Sequence, residues 1–455
     1  MYKFNKPFIY FICIVSAMGG LLFGYDWVVI GGAKIFYEDF FGIGGNNLLI
    51  GLATSIALAG CMVGALSVGA LADRFGRKPL LILAAFIFVV SSIGTGAFSS
   101  FGWFLVARFI GGIAIGTASG LSPMYIAEVA PTSIRGKLVT LNQLTIVIGI
   151  LAAQIVNWRI AGTHDAVWNV ATGWRWMFWA TAFPAAAFLI LAFFIPESPR
   201  WLSLVGRNEP AKATLVKIGG DVYADDEMTA FGQSKADAAK EEKGGLKLLF
   251  SKPFHKVLLL GCVVAFFQQW CGTNVIFNYA QEIFQSAGYD VDNTFINIVI
   301  TGIANLVFTF VALFTVEKLG RRALMLMGAG GLAGIYLILG ACYFFHVQGI
   351  FMVILCVMAI ACYAMTLGPI TWVLISEIFP GRVRAIAVAT ATSVLWIGSF
   401  TLTLSFPLLN AALGTSGTFW IYTAICVAAL LYFIKALPET KGKSLEQLEK
   451  ELING

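Results

Sequence analysis

Twelve predominantly apolar runs, most of them twenty residues or longer, follow one another along this chain, at roughly 8–30, 47–71, 79–98, 101–127, 137–160, 175–195, 256–285, 294–316, 322–345, 350–376, 384–409 and 417–437. As a helix, a run of that length crosses a hydrocarbon layer of about 30 Å. Inside such a layer a backbone must pair its own N–H and C=O groups, which makes each run a helix. A soluble domain of 455 residues is not built this way: 59% of the residues are hydrophobic and only 12% charged, with a mean hydropathy of +0.84. The expected fold class is an all-α membrane protein with twelve transmembrane helices. The first run is too long, and too polar at its end, for a cleaved leader, and no A-x-A-like site follows it.

The net charge of +6 carries no nucleic-acid signal, because the charges sort by membrane side. With both termini cytoplasmic, only Lys34, Arg159 and Arg175 of the 30 Lys and Arg residues fall outside, and Arg108 falls within a span. That asymmetry sets the orientation and requires an even number of crossings. All eight cysteines lie in apolar runs without metal-ligand spacing, so packing is their expected role and no disulfide is expected. The aqueous segments hold no nucleophile and base pair, metal cluster or phosphate loop, so the chain does not read as an enzyme and no cofactor is implied.

One segment breaks the pattern. Residues 203–252 are charged and carry no spanning run, and NEPAKATLVKI within them reads as a short amphipathic helix. The segment predicts a cytoplasmic helical linker domain (199–254) between a first bundle (1–198) and a second (255–438), with a cytoplasmic tail at 439–455. The two halves echo each other. EKLGRR at 317–322 repeats DRFGRK; SEIFPGRVRA at 376–385 repeats AEVAPTSIRG, keeping the seven-residue gap from Glu128 to Arg135 and from Glu377 to Arg384; PETKG repeats PESPR. The offsets all lie between 242 and 249 residues. A duplicated six-span unit places its binding site between the halves, near the midplane.

Polar residues stranded in apolar runs mark where that site lies. QQWCGTNVIFNY at 268–279 holds Gln268, Gln269, Asn274 and Asn278, with a kink expected at Gly272. An unpaired amide in an apolar medium costs several kcal/mol, so these four require polar company, either one another or a hydroxyl-rich solute in a wet cavity. Gln143, two turns inside the cytoplasmic end of its span, faces the same way. Asp26 is the acid placed well inside a span of the first half. A buried carboxylate is costly and marks function, as a proton carrier or as one end of a fixed ion pair with Arg108. The first span also carries Gly19, Gly20, Gly24, Gly31 and Gly32, which allow close packing and local unwinding, and RFIGGIAIGTASG in the fourth is a stripe for tight packing. Gly368 and Pro369 break the tenth span, a candidate hinge.

The ordered set LLFGYD, GALADRFGRK, AEVAPTSIRGK, NQL, PESPRWL, QQWCGTN, VEKLGRR, GPITW and PETKGKSLEQLE resembles the sugar porter family of the major facilitator superfamily over essentially the whole chain. Within it the sequence is most similar to bacterial xylose/proton symporters and animal glucose facilitators. The resemblance implies two pseudosymmetric six-helix bundles, a cytoplasmic helical domain and a monosaccharide site reached alternately from each side. It implies sugar contacts from Gln143, Gln268, Gln269, Asn274 and Asn305, with Phe23, Gly368 and Trp372 lining the site; Asn278 joins them as an expected sugar contact on its own position among the stranded amides. Carboxamides offer both donors and acceptors to a diol, and an indole face packs on sugar C–H groups. There are departures: Asn278 stands where the family often has Tyr, Thr371 where it has Pro, Ser393 where it has a sugar-binding amide, and Val394 where it has Trp, with Trp396 two residues on.

The family's symporters carry an acid where Asp26 stands, near the arginine matched by Arg108. The resemblance therefore implies proton coupling, with the proton as coupling ion. Asp73, Arg77, Glu128, Arg135, Glu317, Arg321, Glu377 and Arg384 are expected to form inner-face salt bridges that hold the outward-open state. The expected protein is a monomeric proton-coupled pentose or hexose symporter of the plasma (bacterial inner) membrane, its partners the monosaccharide, the proton and the lipid bilayer. A passive facilitator and a membrane sugar sensor are the alternatives.

Overall fold

The structure, a computed structural model, describes residues 2–240, 251–380 and 383–441, without the side chains of 234–240, 252–253, 291–292, 313, 317 and 385. The gate residue Glu317, part of the expected linker and most of the expected tail thus lie outside the described side chains. Among the described residues eleven helices are long and apolar enough to cross a membrane, and the last, at 51 residues with a non-helical Gly414 inside it, is long enough for two crossings.

The first half consists of α1 (Lys6–Phe41), α2 (Asn47–Phe75), α3 (Arg77–Ala97), α4 (Phe101–Val129), α5 (Arg135–Thr163) and α6 (Ala166–Ala192). Two helices on the terminus-bearing face follow, α7 (Pro199–Leu204) and α8 (Asn208–Lys240), the latter bent at Gly220. The second half has α9 (Lys252–Trp270), α10 (Thr273–Asn278), α11 (Ala280–Ser286), α12 (Val291–Leu319), α13 (Arg321–Phe344), α14 (Ile350–Met365), α15 (Leu367–Glu377) and α16 (Arg384–Ala436). The chain reverses inside α16 at Gly414, whose φ of 69° lies in the left-handed region. On either side of that reversal Thr401 accepts from Trp270 Nε1, and Tyr422 packs at Gly272. Among the described residues this makes twelve crossings, six in each half.

The breaks have local causes. Gly272 (φ 86°) ends α9 where the sequence predicts a kink. A proline four residues into a turn clashes with the carbonyl behind it, so Pro369 ends α14 at Met365. Thr366, at φ −127° and ψ −95°, is the joint, and its hydroxyl donates to the Cys362 carbonyl at 2.5 Å. The interruption therefore falls two residues before Gly368.

Two expectations for the first span fail. Its glycines do not unwind it: α1 is continuous for 36 residues, eleven past the predicted end. Gly24 lies against the Ile146 carbonyl of α5 and Gly31 against the Asn278 backbone, so these glycines serve close approach between helices. Because α1 is longer, Lys34 lies inside it, 3% exposed, and not in an outer loop. The stripe in α4 packs as expected, with Gly112 against the Ala57 carbonyl and Gly116 against that of Cys61. The segment after α6 is docked. Ile218 is fully buried and accepts from the Asn5 N–H, and the rings of Tyr2 and Phe4 meet Tyr223 at 5.3 Å.

Candidate functional site

The four amides of the seventh crossing are all buried, with 2–5% of their surface exposed. Three of them form a relay across the Gly272 break. Gln268 Nε2 donates to Tyr363 OH (2.6 Å), Gln269 Nε2 donates to Gln268 Oε1 (2.6 Å), and Asn274 Nδ2 donates to Gln269 Oε1. Each carboxamide has two N–H donors and two acceptor lone pairs, so the relay leaves capacity free on every member. Asn278, expected on the same side, is separate: its Oδ1 is buried with no partner, and it lines a cavity beside Asp26.

The other predicted residues spread over the facing helices. Phe23 of α1 packs on Trp27 (5.2 Å) and, across the halves, on Trp396 of α16 (5.8 Å); Trp27 and Trp396 are 6.1 Å apart. Gly398, on the same helix as Trp396, has Gln269 against it, which brings the aromatic group beside the amide relay. Gly368 lies under the Tyr363 ring, Asn305 of α12 is buried, Gln143 of α5 is half-buried, and Trp372 is 38% exposed on α15. Ser393 turns back on its own helix, donating to the Ala389 carbonyl at 2.7 Å. One turn further on, Trp396 is fully buried and its Nε1 has no partner. Trp27 and Tyr363 went unnoticed as site residues, and Trp396 drew notice only through the departure at Val394, because an aromatic in an apolar run looks like any other core residue.

Arg108 of α4 reaches Asp26 with one nitrogen. Its Nη1 donates to Oδ1 at 2.8 Å and to Oδ2 at 2.9 Å, and the guanidinium stands 5.3 Å from the Phe178 ring centroid. Both residues are more than nine-tenths buried. Each charge depends on the other, because breaking a buried pair by removing one partner costs about 3–5 kcal/mol. A cavity about the size of one water adjoins the pair.

The terminus-bearing face carries the duplicated motifs as a duplicated network. In the first half Arg77 pairs with Glu128 (2.8 Å) and, more weakly, with the exposed Asp73 (3.5 Å), while Glu197 accepts the N–H groups of Arg77 and Lys78 and Ser198 donates to Glu128. In the second half Arg321 pairs with Glu377 (3.1 Å), Glu439 accepts from the N–H groups of Arg321 and Arg322, and Thr440 donates to Glu377. Arg135 and Arg384 bond the carbonyls of Ala130 and Phe379 in place of acids. Each of these contacts stays within its own half. Glu197, Ser198, Glu439 and Thr440 were missed as network members, although the echo of PESPR in PETKG was their signal.

On the opposite face the two halves touch. Lys34 pairs with Glu38 at 3.0 Å and with Glu282 of α11, Gln281 Nε2 donates to the Gly32 carbonyl at 3.0 Å, and the rings of Phe36 and Phe295 stack at 6.4 Å.

Comparison with known proteins agrees with this architecture. Residues 12–452 match the family model described as "Sugar (and other) transporter". The chain is 37% identical to the D-xylose-proton symporter of Escherichia coli, over 98% of this chain and 96% of that one. It is 36% identical to the arabinose-proton symporter of Bacillus subtilis, over 98% and 95%. Its fold matches the inward open conformation of the xylose transporter XylE from E. coli with a TM-score of 0.87, at 36% identity over 97% and 99% of the two chains. It matches the major facilitator superfamily proton:xylose symporter XylE bound to 6-bromo-6-deoxy-D-glucose at 0.83, with 37% identity over 99% and 100%. Twelve apolar crossings arranged as two six-helix bundles make this an integral membrane protein with the major facilitator fold, and the chain belongs to the sugar (and other) transporter family.

Proposed function

We propose that the protein is a proton-coupled monosaccharide symporter of a bacterial inner membrane, working by alternating access with both termini in the cytoplasm. The observation that carries this reading is the buried Asp26–Arg108 pair, set in the first half across from the amides of α9 and α10. The relatives' names, D-xylose-proton and arabinose-proton symporter, support a pentose or hexose as substrate.

In this reading Gln268, Gln269 and Asn274 offer their unused donors and acceptors to the sugar hydroxyls, with Gln143 and Asn305 on the facing walls. Phe23, Trp372 and Trp396 supply apolar faces for the C–H side of the ring. Gly368 keeps the wall thin beside Tyr363. Protonation neutralises Asp26, which removes the reason for Arg108 to stay beside it and lets the loaded carrier reorient. One proton entering across 100 mV releases about 2.3 kcal/mol. That energy supports roughly fifty-fold accumulation. The Arg77–Glu128 and Arg321–Glu377 pairs stiffen the cytoplasmic ends of each bundle, so that the halves move as bodies. The protein functions as a monomer without a cofactor.

The test is transport by purified protein in proteoliposomes. Asp26→Asn is expected to keep sugar counterflow within about threefold of wild type and to lose accumulation driven by a pH gradient. Uphill uptake that survives the substitution would remove Asp26 from coupling and leave a passive facilitator.

A further inference from the structure

The cavity beside Asp26 is walled almost entirely by the first half of the protein: α1, α2 and α4 supply Asp26, Thr54, Cys61 and Arg108 among its lining. One lining residue comes from the second half, and it is Asn278. Its carboxamide is 3% exposed and Oδ1 has no partner; Arg108 Nε is likewise buried without one. The cavity has room for about one water, and a buried water needs two to four polar partners.

We infer that a single water seated here joins Asn278 to the Asp26–Arg108 pair, making Asn278 a positioning residue for the proton step and not a sugar ligand. The inference rests on the symport reading above. The water accepts from Arg108 Nε–H and donates one proton to the Asp26 carboxylate and the other to Asn278 Oδ1. Asn278 is the last residue of α10, whose second residue, Asn274, is in the amide relay. A sugar that shifts this one-and-a-half-turn helix therefore shifts the anchor of the water, and occupancy in one half reaches the proton in the other.

The sign of the effect follows from the groups around Asp26. Arg108 faces it from α4, Thr54 and Cys61 from α2, Asn278 from α10, and Tyr25 precedes it on α1; Tyr37 shares the Thr54 hydroxyl. Among the described lining residues Asp26 is the one carboxylate. A water held in donating orientation favours the charged carboxylate over the neutral acid. Without its second anchor that preference weakens.

The experiment uses the isosteric pair Asn278→Val and Asn278→Thr in full-length protein reconstituted into liposomes. The probe is radiolabelled D-xylose, D-glucose or L-arabinose, whichever the wild type accumulates fastest. Val is expected to move the pH at which uphill uptake falls by half upward by about one unit. Thr keeps a hydroxyl in the same shape and is expected to restore at least half of that shift. Counterflow half-saturation should stay within about twofold of wild type for both. A wild-type pH profile with weakened counterflow makes Asn278 a sugar ligand and overturns the inference. So does an equal loss in Val and Thr, which makes it packing. Asp26→Asn run alongside separates the two readings: accumulation that survives there sinks symport itself, whereas its loss, with the Val profile unmoved, sinks only the water link.

Discussion

Trp396 shows how a single side chain can replace another across a turn of helix. At Ser393 the hydroxyl donates to the Ala389 carbonyl, so the hydrogen-bond donor expected from that position is spent on its own helix. Three residues later the indole occupies the next rung of the same face, against Phe23 and Trp27, with a buried N–H that has no acceptor. A buried donor left alone costs about 1–3 kcal/mol, which a sugar hydroxyl recovers. Trp396→Phe keeps a ring and removes the donor; it is expected to raise the half-saturation for counterflow about five- to ten-fold with little change in maximal rate. Unchanged half-saturation would reduce Trp396 to an inter-half packing ring. Contrast explains what was legible at this scale. Gln268, Gln269, Asn274 and Asp26 stand out because polar groups are rare in an apolar run. Trp27, Tyr363 and Trp396 do not, since indoles and phenols belong there on either account.

Between residue and bundle, the joints of the helices carry the duplication more faithfully than the helices do. Gly76 and Gly320, at φ 94° and 87°, each form a one-residue turn between two crossings. Each turn delivers two backbone N–H groups to a carboxylate from a distant segment, Glu197 in one half and Glu439 in the other. Burial alone would push the Glu439 carboxyl up, but the N–H donors of Lys441, Arg321, Arg322 and Thr440 outweigh it and hold the group below its ordinary value. The stabilisation is therefore present above the unfolded-state value and lost as pH falls through the depressed folded one. Glu439→Gln is expected to lower the apparent melting temperature in detergent by a few degrees at pH 7. The gap should close under acid as the wild type protonates, and a gap independent of pH would make the loss steric. The sequence announced these joints through its repeated motifs. It also announced the break at Gly272, where only glycine adopts the needed angle without strain. It misled on α1, because close packing and unwinding draw on the same residue type, and only the partner helix, here α5 with its Ile146 carbonyl, decides between them.

At the scale of the whole molecule, among the described residues, the ion pairs of the terminus-bearing face stay within their own halves, whereas on the opposite face an ion pair joins the two. Arg77–Glu128 and Arg321–Glu377 close within their own bundles, while Lys34 reaches from α1 to Glu282 in the opposite half and Gln281 bonds the Gly32 carbonyl. Motifs and offsets disclosed two bundles and a site between them, but not this contact. Lys34 and Glu282 sit in unrelated stretches, and nothing in either stretch names the other. Two carboxylates share this one ammonium, which is 3% exposed and stands 4.9 Å from the Tyr279 ring centroid. Removing the cation leaves Glu38 and Glu282 facing each other at a half-buried contact, a like-charge juxtaposition that opening the face relieves. Lys34→Gln is therefore expected to favour separation of the halves on this side by about 1.4 kcal/mol or more, a tenfold change in population. Spin labels at Asn46 and Ser286, exposed on the two sides of that face, report it as growth of a longer distance. Glu282→Gln leaves Lys34 paired with Glu38 and should shift the distribution less. If both variants kept the wild-type distances, the closed face would be held by apolar and backbone contacts such as Phe36 on Phe295 and Gly31 on Asn278, with the ion cluster only filling the space between them.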